Sequence, residues 1–445
     1  MSLKEPSWKK YQAELKREAL LRRLIRRIPQ YLFLSLCAVI TIVSVIYLLP
    51  SMATWLRPAA LRKPVQPPPV QMEKRQVQAL LAENAIDIDF GKEHQVISSA
   101  ERHYQIVTTI DLSLQRFLAQ QVASATKRER YRSKVIGIVA MAPRSGKVLA
   151  MVGYRKQHGN PNPCMDSRFP AASIFKIITA AAAIEKRHLS ASSVVRYNGR
   201  KHTLYRSQLK KGANRYTHRV TFKDAFAQSI NPVFGKIGVH YLGMDTLQQY
   251  ADAFGYNQPI PFDLPLTPIR CIVTDDSYHL AEIASGFNKE TELSPLHAAL
   301  MASVVLNGGH LLSPVLVDKV VDEKGGVPYR SEHKVLRTVI SPETCSALRG
   351  MMLKTIESGT GRKIFRGFQR DSVLSALNIG GKTGSINNDP RYDWFVGFGE
   401  QKKGSGKVVV AAMVAHEKYI GVRAGQYVRK ALEHYFQRQT ATALK

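Results

Sequence analysis

The apolar and polar positions of the chain change period several times. Trp8, Tyr11, Leu15, Leu20, Leu21, Leu24, Ile25 and Ile28 recur at roughly helical spacing among Lys9, Lys10, Lys16, Arg17, Arg22, Arg23, Arg26 and Arg27. That is the pattern of a basic amphipathic helix on an anionic membrane surface. Residues 31–49 then carry no charge and almost no polar side chain, enough to cross a bilayer as a helix. A signal peptide is the rival reading. The length of the apolar run, the long basic segment before it and the missing A-x-A-like site favour an uncleaved anchor. The positive-inside rule puts residues 1–30 in the cytoplasm and those after residue 50 outside.

Residues 58–71 hold Pro58, Pro64, Pro67, Pro68 and Pro69, a stiff extended spacer. Residues 72–104 are mixed, with a short helix over 77–85. From residue 105 onward strands and helices follow closely. A strand over 105–110 leads to Asp111, which caps a helix through about residue 128 with Leu114, Phe117, Leu118 and Val122 on one face. Residues 135–142 and 148–154 pair across Pro143-Arg144-Ser145-Gly146. Residues 170–184 read as a helix with Ser173 and Lys176 at its first turn and, Thr179 aside, only apolar residues after Lys176. A helix apolar all round belongs inside a large domain.

Residues 191–220 read as a loop. Thr221 to Asp224 opens a short helix, and Asn231-Pro232 restarts one as far as Gly243. Leu247, Tyr250, Ala251 and Phe254 mark another helix, ending at Gly255. Ser294-Pro295 and Ser341-Pro342 start two more. Strands are predicted at 377–381, 394–399 and 408–414, and a last helix carries Tyr427, Val428, Ala431, Leu432, Tyr435 and Phe436. This order predicts an α+β fold: a mostly antiparallel sheet with terminal helices on one face and a helical subdomain inserted. The organisation expected is a basic tail (1–30), a transmembrane anchor (31–50), a Pro-rich linker and short stalk (51–104) and one large domain of strands and helices (105–437).

Charge adds a partner class. A formal charge of +30 and a pI near 10.0 favour anionic partners. No zinc-finger spacing and no aromatic-basic RNA-binding signature occur, so acidic lipid headgroups or cell-wall polymer are expected and nucleic acid is not. Arg196, Arg200, Lys201, Arg206, Lys210, Lys211, Arg215 and Arg219 crowd the 191–220 segment, either as a solvated loop or as an electrostatic handle. Among the cysteines, Cys37 lies in the apolar run and leaves three, Cys164, Cys271 and Cys345, too few for a disulfide framework. The histidines have no metal-ligand spacing. No metal and no cofactor are expected.

Three short polar signals remain. Ser173 and Lys176 are three apart, so on a helix their side chains meet and an amine can activate a hydroxyl. Ser229-Ile230-Asn231 lies at a break between helices, where a hydroxyl and a carboxamide can face a cleft. Gly380-Gly381-Lys382-Thr383-Gly384-Ser385 sits at a strand edge, where glycines admit a substrate backbone. A phosphate-binding loop would need a further glycine before Gly381, and the stretch there is apolar strand.

In this order, Ser173-x-x-Lys176, Ser229-x-Asn231 and Lys382-Thr383-Gly384 resemble the three motifs of penicillin-binding transpeptidases and serine β-lactamases. Thr108 to Gln115, Ser145 to Gly153, Leu293 to Leu296 with Asn307 to Gly309, and Trp394 to Gly397 fit as well, so the resemblance spans about residues 105–437. It implies the penicillin-binding fold and a Ser173 acyl-enzyme. Lys176 would act as the base, its pKa lowered by burial and by Lys382. Ser229 would relay a proton, Asn231 would bind the stem peptide, and Lys382 and Thr383 would hold a substrate carboxylate. The backbone of Ser173 and Ser385, beside Gly384, would form the oxyanion hole. The partners implied are peptidoglycan stem peptides or their lipid-linked precursor, β-lactam antibiotics, the inner membrane, and other cell-wall synthesis proteins.

The activity implied is D,D-transpeptidation. Water as acceptor would give a D,D-carboxypeptidase. A class D β-lactamase or β-lactam sensor has a similar Pro-Ala-Ser-x-x-Lys-Ile start, but those families usually place valine where Asn231 stands. A class A β-lactamase needs a deacylating glutamate, which the Glu290 to Ser294 stretch suits only superficially. The last alternative is an inactive scaffold. The roughly fifty residues between membrane and catalytic domain leave no room for a glycosyltransferase module or a large pedestal. Ser385 stands where threonine is commoner.

Overall fold

The computed structural model describes residues 8–55, 71–84, 90–92, 94–99, 102–127, 133–157, 162–387 and 389–443. Two compact units result, residues 1–68 and 69–445. The Pro-rich spacer expected over 58–71 lies, residue 71 apart, outside the described residues. In the first unit one helix, α1 (Trp8–Trp55), carries both the basic segment and the apolar run. Its stretch Ile28–Val45 is long and apolar enough to cross a membrane.

In chain order the second unit holds α2 (Lys74–Glu83), β1 (His94–Ser99), β2 (Arg102–Thr108), α3 (Leu112–Thr126), β3 (Ser133–Met141), β4 (Val148–Arg155), β5 (Phe169–Pro170) and α4 (Lys176–Arg187). The helical subdomain follows: β6 (Val194–Asn198), β7 (Thr217–Thr221), α5 (Phe222–Ala227), α6 (Asn231–Ile237), α7 (Gly243–Ala253) and α8 (Ser277–Ser285). Next come β8 (Glu292–Leu293), α9 (Pro295–Leu306), β9 (His310–Leu312), β10 (Val317–Asp322), β11 (Tyr329–Arg330), β12 (Val335–Thr338) and α10 (Pro342–Glu357). The chain closes with β13 (Leu377–Ile386), β14 (Arg391–Gln401), β15 (Lys407–His416) and α11 (Ala424–Ala443).

The central sheet is antiparallel throughout, in the order β13-β14-β15-β3-β4. Its strands are apolar on both faces because both are covered. Ile136, Ile138 and Ala140 of β3 and Val408, Val410, Ala412 and Val414 of β15 pack with α3 and α11, while Val135, Val139, Val409, Ala411 and Met413 join the core with α4 and α9. The period of two along a strand sorts these side chains. The edge strand β4 is closed by Gln115 of α3, whose amide bonds Met151 N and O at 2.8 and 3.0 Å.

Several elements depart from the sequence reading. Residues 191–220 are not a loop throughout: β6 and β7 pair from Val194↔Thr221 to Asn198↔Thr217. The alternation of Val195 and Tyr197 opposite His218 and Val220 is strand-like, but the interleaved arginines hid it. The helix begun at Asn231 reaches Gly243 as read, but its last turn, Gly238–Leu242, is a π-turn; Gly243, at φ 75°, breaks it and α7 opens there at once. Helix α8 was not foreseen, although Asp276 caps it and Gly286 ends it in the left-handed region at φ 59°. The strands of the closing sheet run longer than expected. Finally, β2 runs through residue 105, and a small sheet, β1-β2-β10-β11, joins residues from both sides of that position.

Candidate active site

Ser173 stands in a 3-10 turn, Ala172–Phe175, and the α-helix proper begins at Lys176. The sequence reading placed both on one α-helix. The tighter turn eclipses residues three apart, which brings the pair together directly: Lys176 Nζ lies 2.8 Å from Ser173 Oγ. The turn is entered through Ala172 at φ 48°, a strained conformation for a residue with a Cβ. Three contacts hold it there. Trp394 Nε1, from the sheet, donates to Pro170 O at 2.9 Å. Ala171 N donates to Thr291 O at 2.8 Å. Gly286, at the end of α8, packs so closely on Ala172 O that a Cβ would overlap it.

Lys176 is fully buried. Its amine also donates to Asn231 Oδ1 at 2.8 Å and to the carbonyl of Ser285, the last residue of α8. Burial holds its pKa well below the usual lysine value, and the nearby Lys382 charge lowers it further.

The opposite wall is β13, the edge strand. Lys382 is fully buried and donates to Ser229 Oγ and to Thr383 O, both at 2.9 Å. Burial brings its pKa down to about 7. Ser229 follows α5 with φ 55°. That left-handed position normally suits glycine or asparagine, and here it aims the hydroxyl at the lysine. The amines of Lys176 and Lys382 each lie 5.6 Å over a phenylalanine ring, Phe234 and Phe226 respectively.

The structure therefore gathers Ser173, Lys176 and Asn231 into one set of contacts and Ser229 and Lys382 into another, the two joined through the Ser229-Ile230-Asn231 backbone. Gly384 packs on the Ser173 turn: a Cβ there would meet Ile174 Cγ1 at 3.2 Å and Ala172 Cβ at 3.4 Å. Ser385 is exposed, opposite Asp393 in the ladder. Asn231 differs from expectation in emphasis. Its amide is engaged at both ends, Oδ1 with Lys176 and Nδ2 with His202 O at 3.1 Å, so in this state it orients the lysine.

Sequence reasoning missed two contributors. One is the Ser285-Gly286 end of α8, whose carbonyl reaches Lys176. The other is Thr360, in the Ser358-Gly359-Thr360-Gly361 turn after α10. Its Oγ1 lies 2.5 Å from Thr383 Oγ1, and its N–H donates to Ala227 O at 3.0 Å. The turn thus ties the end of α5, beside Ser229, to the lysine-bearing strand. A run of small residues following a helix was the available signal. The cysteines are unpaired; Cys164, Cys271 and Cys345 are buried. Among the described residues no group of three acidic, histidine or cysteine side chains could hold a metal ion.

A family model described as the penicillin binding protein transpeptidase domain matches residues 136–433. Peptidoglycan D,D-transpeptidase PbpA of Mycobacterium tuberculosis is 26% identical over 315 residues, covering 62% of this chain and 61% of that protein. Stage V sporulation protein D of Bacillus subtilis is 24% identical over 295 residues, covering 62% of this chain and 43% of that protein. The chain thus spans about half the length of these curated relatives. The D,D-transpeptidase domain of a peptidoglycan glycosyltransferase from Eggerthella lenta superposes with a TM-score of 0.62 at 23% identity, over 75% of this chain and 83% of that one. The imipenem acyl-enzyme of penicillin-binding protein A from M. tuberculosis gives 0.58 at 24% identity, over 74% and 79%. These likenesses fix the α+β transpeptidase fold. The matched region contains no glycosyltransferase module.

Proposed function

The chain belongs to the penicillin-binding protein transpeptidase family, and from that premise we propose that it is a membrane-anchored D,D-transpeptidase cross-linking peptidoglycan stem peptides through an acyl-enzyme on Ser173. The observation that carries this reading is the set of partners around Lys176. A neutral amine has two hydrogens and one lone pair. With the hydrogens engaged by Asn231 Oδ1 and Ser285 O, the lone pair faces the Ser173 hydroxyl at 2.8 Å. Lys176 is then a base oriented toward the nucleophile before any substrate arrives.

The steps follow from these contacts. Ser173 Oγ attacks the carbonyl carbon between the two terminal D-alanines, and its proton passes to Lys176. Backbone N–H groups of Ser173 and Ser385 hold the developing oxyanion, at about 3 kcal/mol per donor. The C–N bond breaks, the leaving D-alanine amine takes a proton through Ser229, and an ester remains on Ser173. Lys382 and Thr383 hold the terminal carboxylate of the donor. An amine of a second stem then attacks the ester, returns the proton to Ser173 Oγ and leaves as the new amide. Ile28–Val45 anchors the enzyme in the inner membrane with the catalytic unit outside.

The test uses the full chain in detergent. Fluorescent penicillin should label it, and Ser173→Ala should abolish the label. With a D-Ala-D-Ala pentapeptide and an amine acceptor, mass spectrometry should find the cross-linked amide with free D-alanine. Label surviving in Ser173→Ala would sink the acyl-enzyme. Hydrolysed tetrapeptide alone would make the protein a carboxypeptidase, and rapid turnover of the penicillin would make it a β-lactamase.

A further inference from the structure

Residues 186–223 contain eleven lysines and arginines and no aspartate or glutamate. All but Lys223 are exposed; Lys186 and Arg206 feel the charges of Glu185 and Asp276, but among the described residues none of the eleven forms a salt bridge with a carboxylate within 4.0 Å. The segment is nonetheless firmly built. Tyr197 stacks on His218 at 5.0 Å on one face of the β6–β7 hairpin. Gln208 bonds Asn198 O at 2.8 Å and Tyr205 N at 3.0 Å, closing the connecting loop. On the other face Arg196 and Arg219 stand directly opposite each other in the ladder. Like charges in that position oppose strand pairing, so the hairpin carries a cost that its own packing does not relieve. An anion lying across both guanidinium groups would relieve it.

The location points to which anion. Between the strands the chain bonds to the active-site motif: Asn231 N donates to Lys201 O at 2.7 Å, Asn231 Nδ2 to His202 O at 3.1 Å, and Lys201 Nζ to Gln228 Oε1 at 2.5 Å. The basic face therefore begins at the wall of the cleft that holds Ser229 and Asn231. A polymer with one stem peptide in the cleft must run its neighbouring stems over the adjoining surface. Each unreacted stem ends in a carboxylate, a group that a guanidinium fork binds through two parallel hydrogen bonds.

We propose that the β6–β7 hairpin and its connecting loop bind the acidic, carboxylate-bearing glycopeptide polymer outside the cleft, so that the face selects polymer over isolated stem peptide. This rests on the function proposed above. The test sediments the full chain in detergent with purified sacculi stripped of other anionic polymers, in parallel with phosphatidylglycerol vesicles, and follows fluorescent penicillin labelling separately. Wild-type protein should bind sacculi and lose affinity as salt rises from about 0.05 to about 0.3 M. Arg196→Gln/Arg219→Gln should bind sacculi about five- to tenfold more weakly, with a shallower salt dependence and unchanged labelling. Lys210→Gln/Lys211→Gln, outside the strand ladder, should weaken binding in the same direction and guards against a misfolded hairpin. Sacculus binding unchanged in both variants overturns the proposal. A loss confined to the vesicles also overturns it, in favour of a lipid-facing surface. Absence of penicillin labelling in the wild type would overturn the acyl-enzyme reading instead, whatever the sedimentation shows.

Discussion

The two walls of the cleft each carry a fully buried lysine, and they hold it differently. Lys176 begins a helix and meets oxygens from three separate elements: Ser173 Oγ, Asn231 Oδ1 and the Ser285 carbonyl. Lys382 lies in an edge strand and meets Ser229 Oγ and the carbonyl of its own neighbour, Thr383. Burial lowers both pKa values, but Lys176 also feels the charge of Lys382 and falls further. As pH rises, the first proton therefore leaves mainly from Lys176 while Lys382 keeps its charge, though the pair titrates as a unit. In the proposed mechanism the same residue type at the same burial serves as a base on one wall and as a fixed cation on the other. What separates them is the charge of Lys382, which acts on Lys176 in addition to burial.

The strongest way to break this division is at the base. Lys176→Ala removes the proposed proton acceptor and leaves the strand wall intact. Penicillin acylation should fall by about a thousandfold while the protein stays folded. Stopped-flow labelling checks it, and a loss under about tenfold would move the base elsewhere.

Next in size is a change that touches neither lysine. Gly286 lies against Ala172 O, and its φ of 59° is left-handed. In Gly286→Ala the new Cβ must push α8 and the Ser173 turn apart, carrying the Ser285 carbonyl away from Lys176. We expect a loss of about 1–3 kcal/mol in stability from backbone strain and overlap. Acylation should drop about a hundredfold from a misplaced base. Denaturant melts and labelling rates measured together check both. A stability loss with acylation unchanged would show that the carbonyl does not orient the lysine.

Gly286 also marks where the sequence stopped being informative. Helix caps were legible because each is a local pattern: Asp111, Thr221, Ser294 and Ser341 all bond the N–H three residues on. The three motifs were legible because they carry unusual side chains in a fixed order. The Ser285 carbonyl was not, because a backbone oxygen has no residue signature and reaches Lys176 only through the packing of α8 on α4. The β6–β7 hairpin was hidden for the opposite reason. Its outward positions are so basic that charge masked the alternation of Val195, Tyr197, His218 and Val220.

The two walls should also separate in pH. In the proposed mechanism acylation needs Lys176 neutral, so the rate should climb with pH while its proton is lost. It needs Lys382 charged to hold the β-lactam carboxylate, so the rate should fall above about 7 as that proton leaves. The profile should be bell-shaped, with each limb approaching tenfold per pH unit. In Lys382→Arg the guanidinium keeps its charge, so whatever activity remains should lack the falling limb. A falling limb in that variant would assign it to another group.

The smallest effect should come from Thr360, which acts on the strand wall through Thr383. Its hydroxyl lies 2.5 Å from Thr383 Oγ1, and its turn is pinned to Ala227 O beside Ser229. Thr360→Val keeps the shape and removes the hydroxyl's bonds to Thr383 Oγ1 and, at 3.4 Å, to Ala227 O, a loss of about 1 kcal/mol. Thr383 then loses a fixed orientation toward the substrate carboxylate, while Lys176 and Ser173 keep every partner they have. Acylation by a β-lactam should therefore slow about five- to tenfold, through weaker binding rather than slower chemistry. The pH of the rising limb should stay where it is, since that limb belongs to the helix wall. Measuring the concentration dependence of labelling separates these terms. A shift in the rising limb would mean that the two walls are coupled through the Thr360 turn, and the division of labour between the two lysines would have to be drawn less sharply.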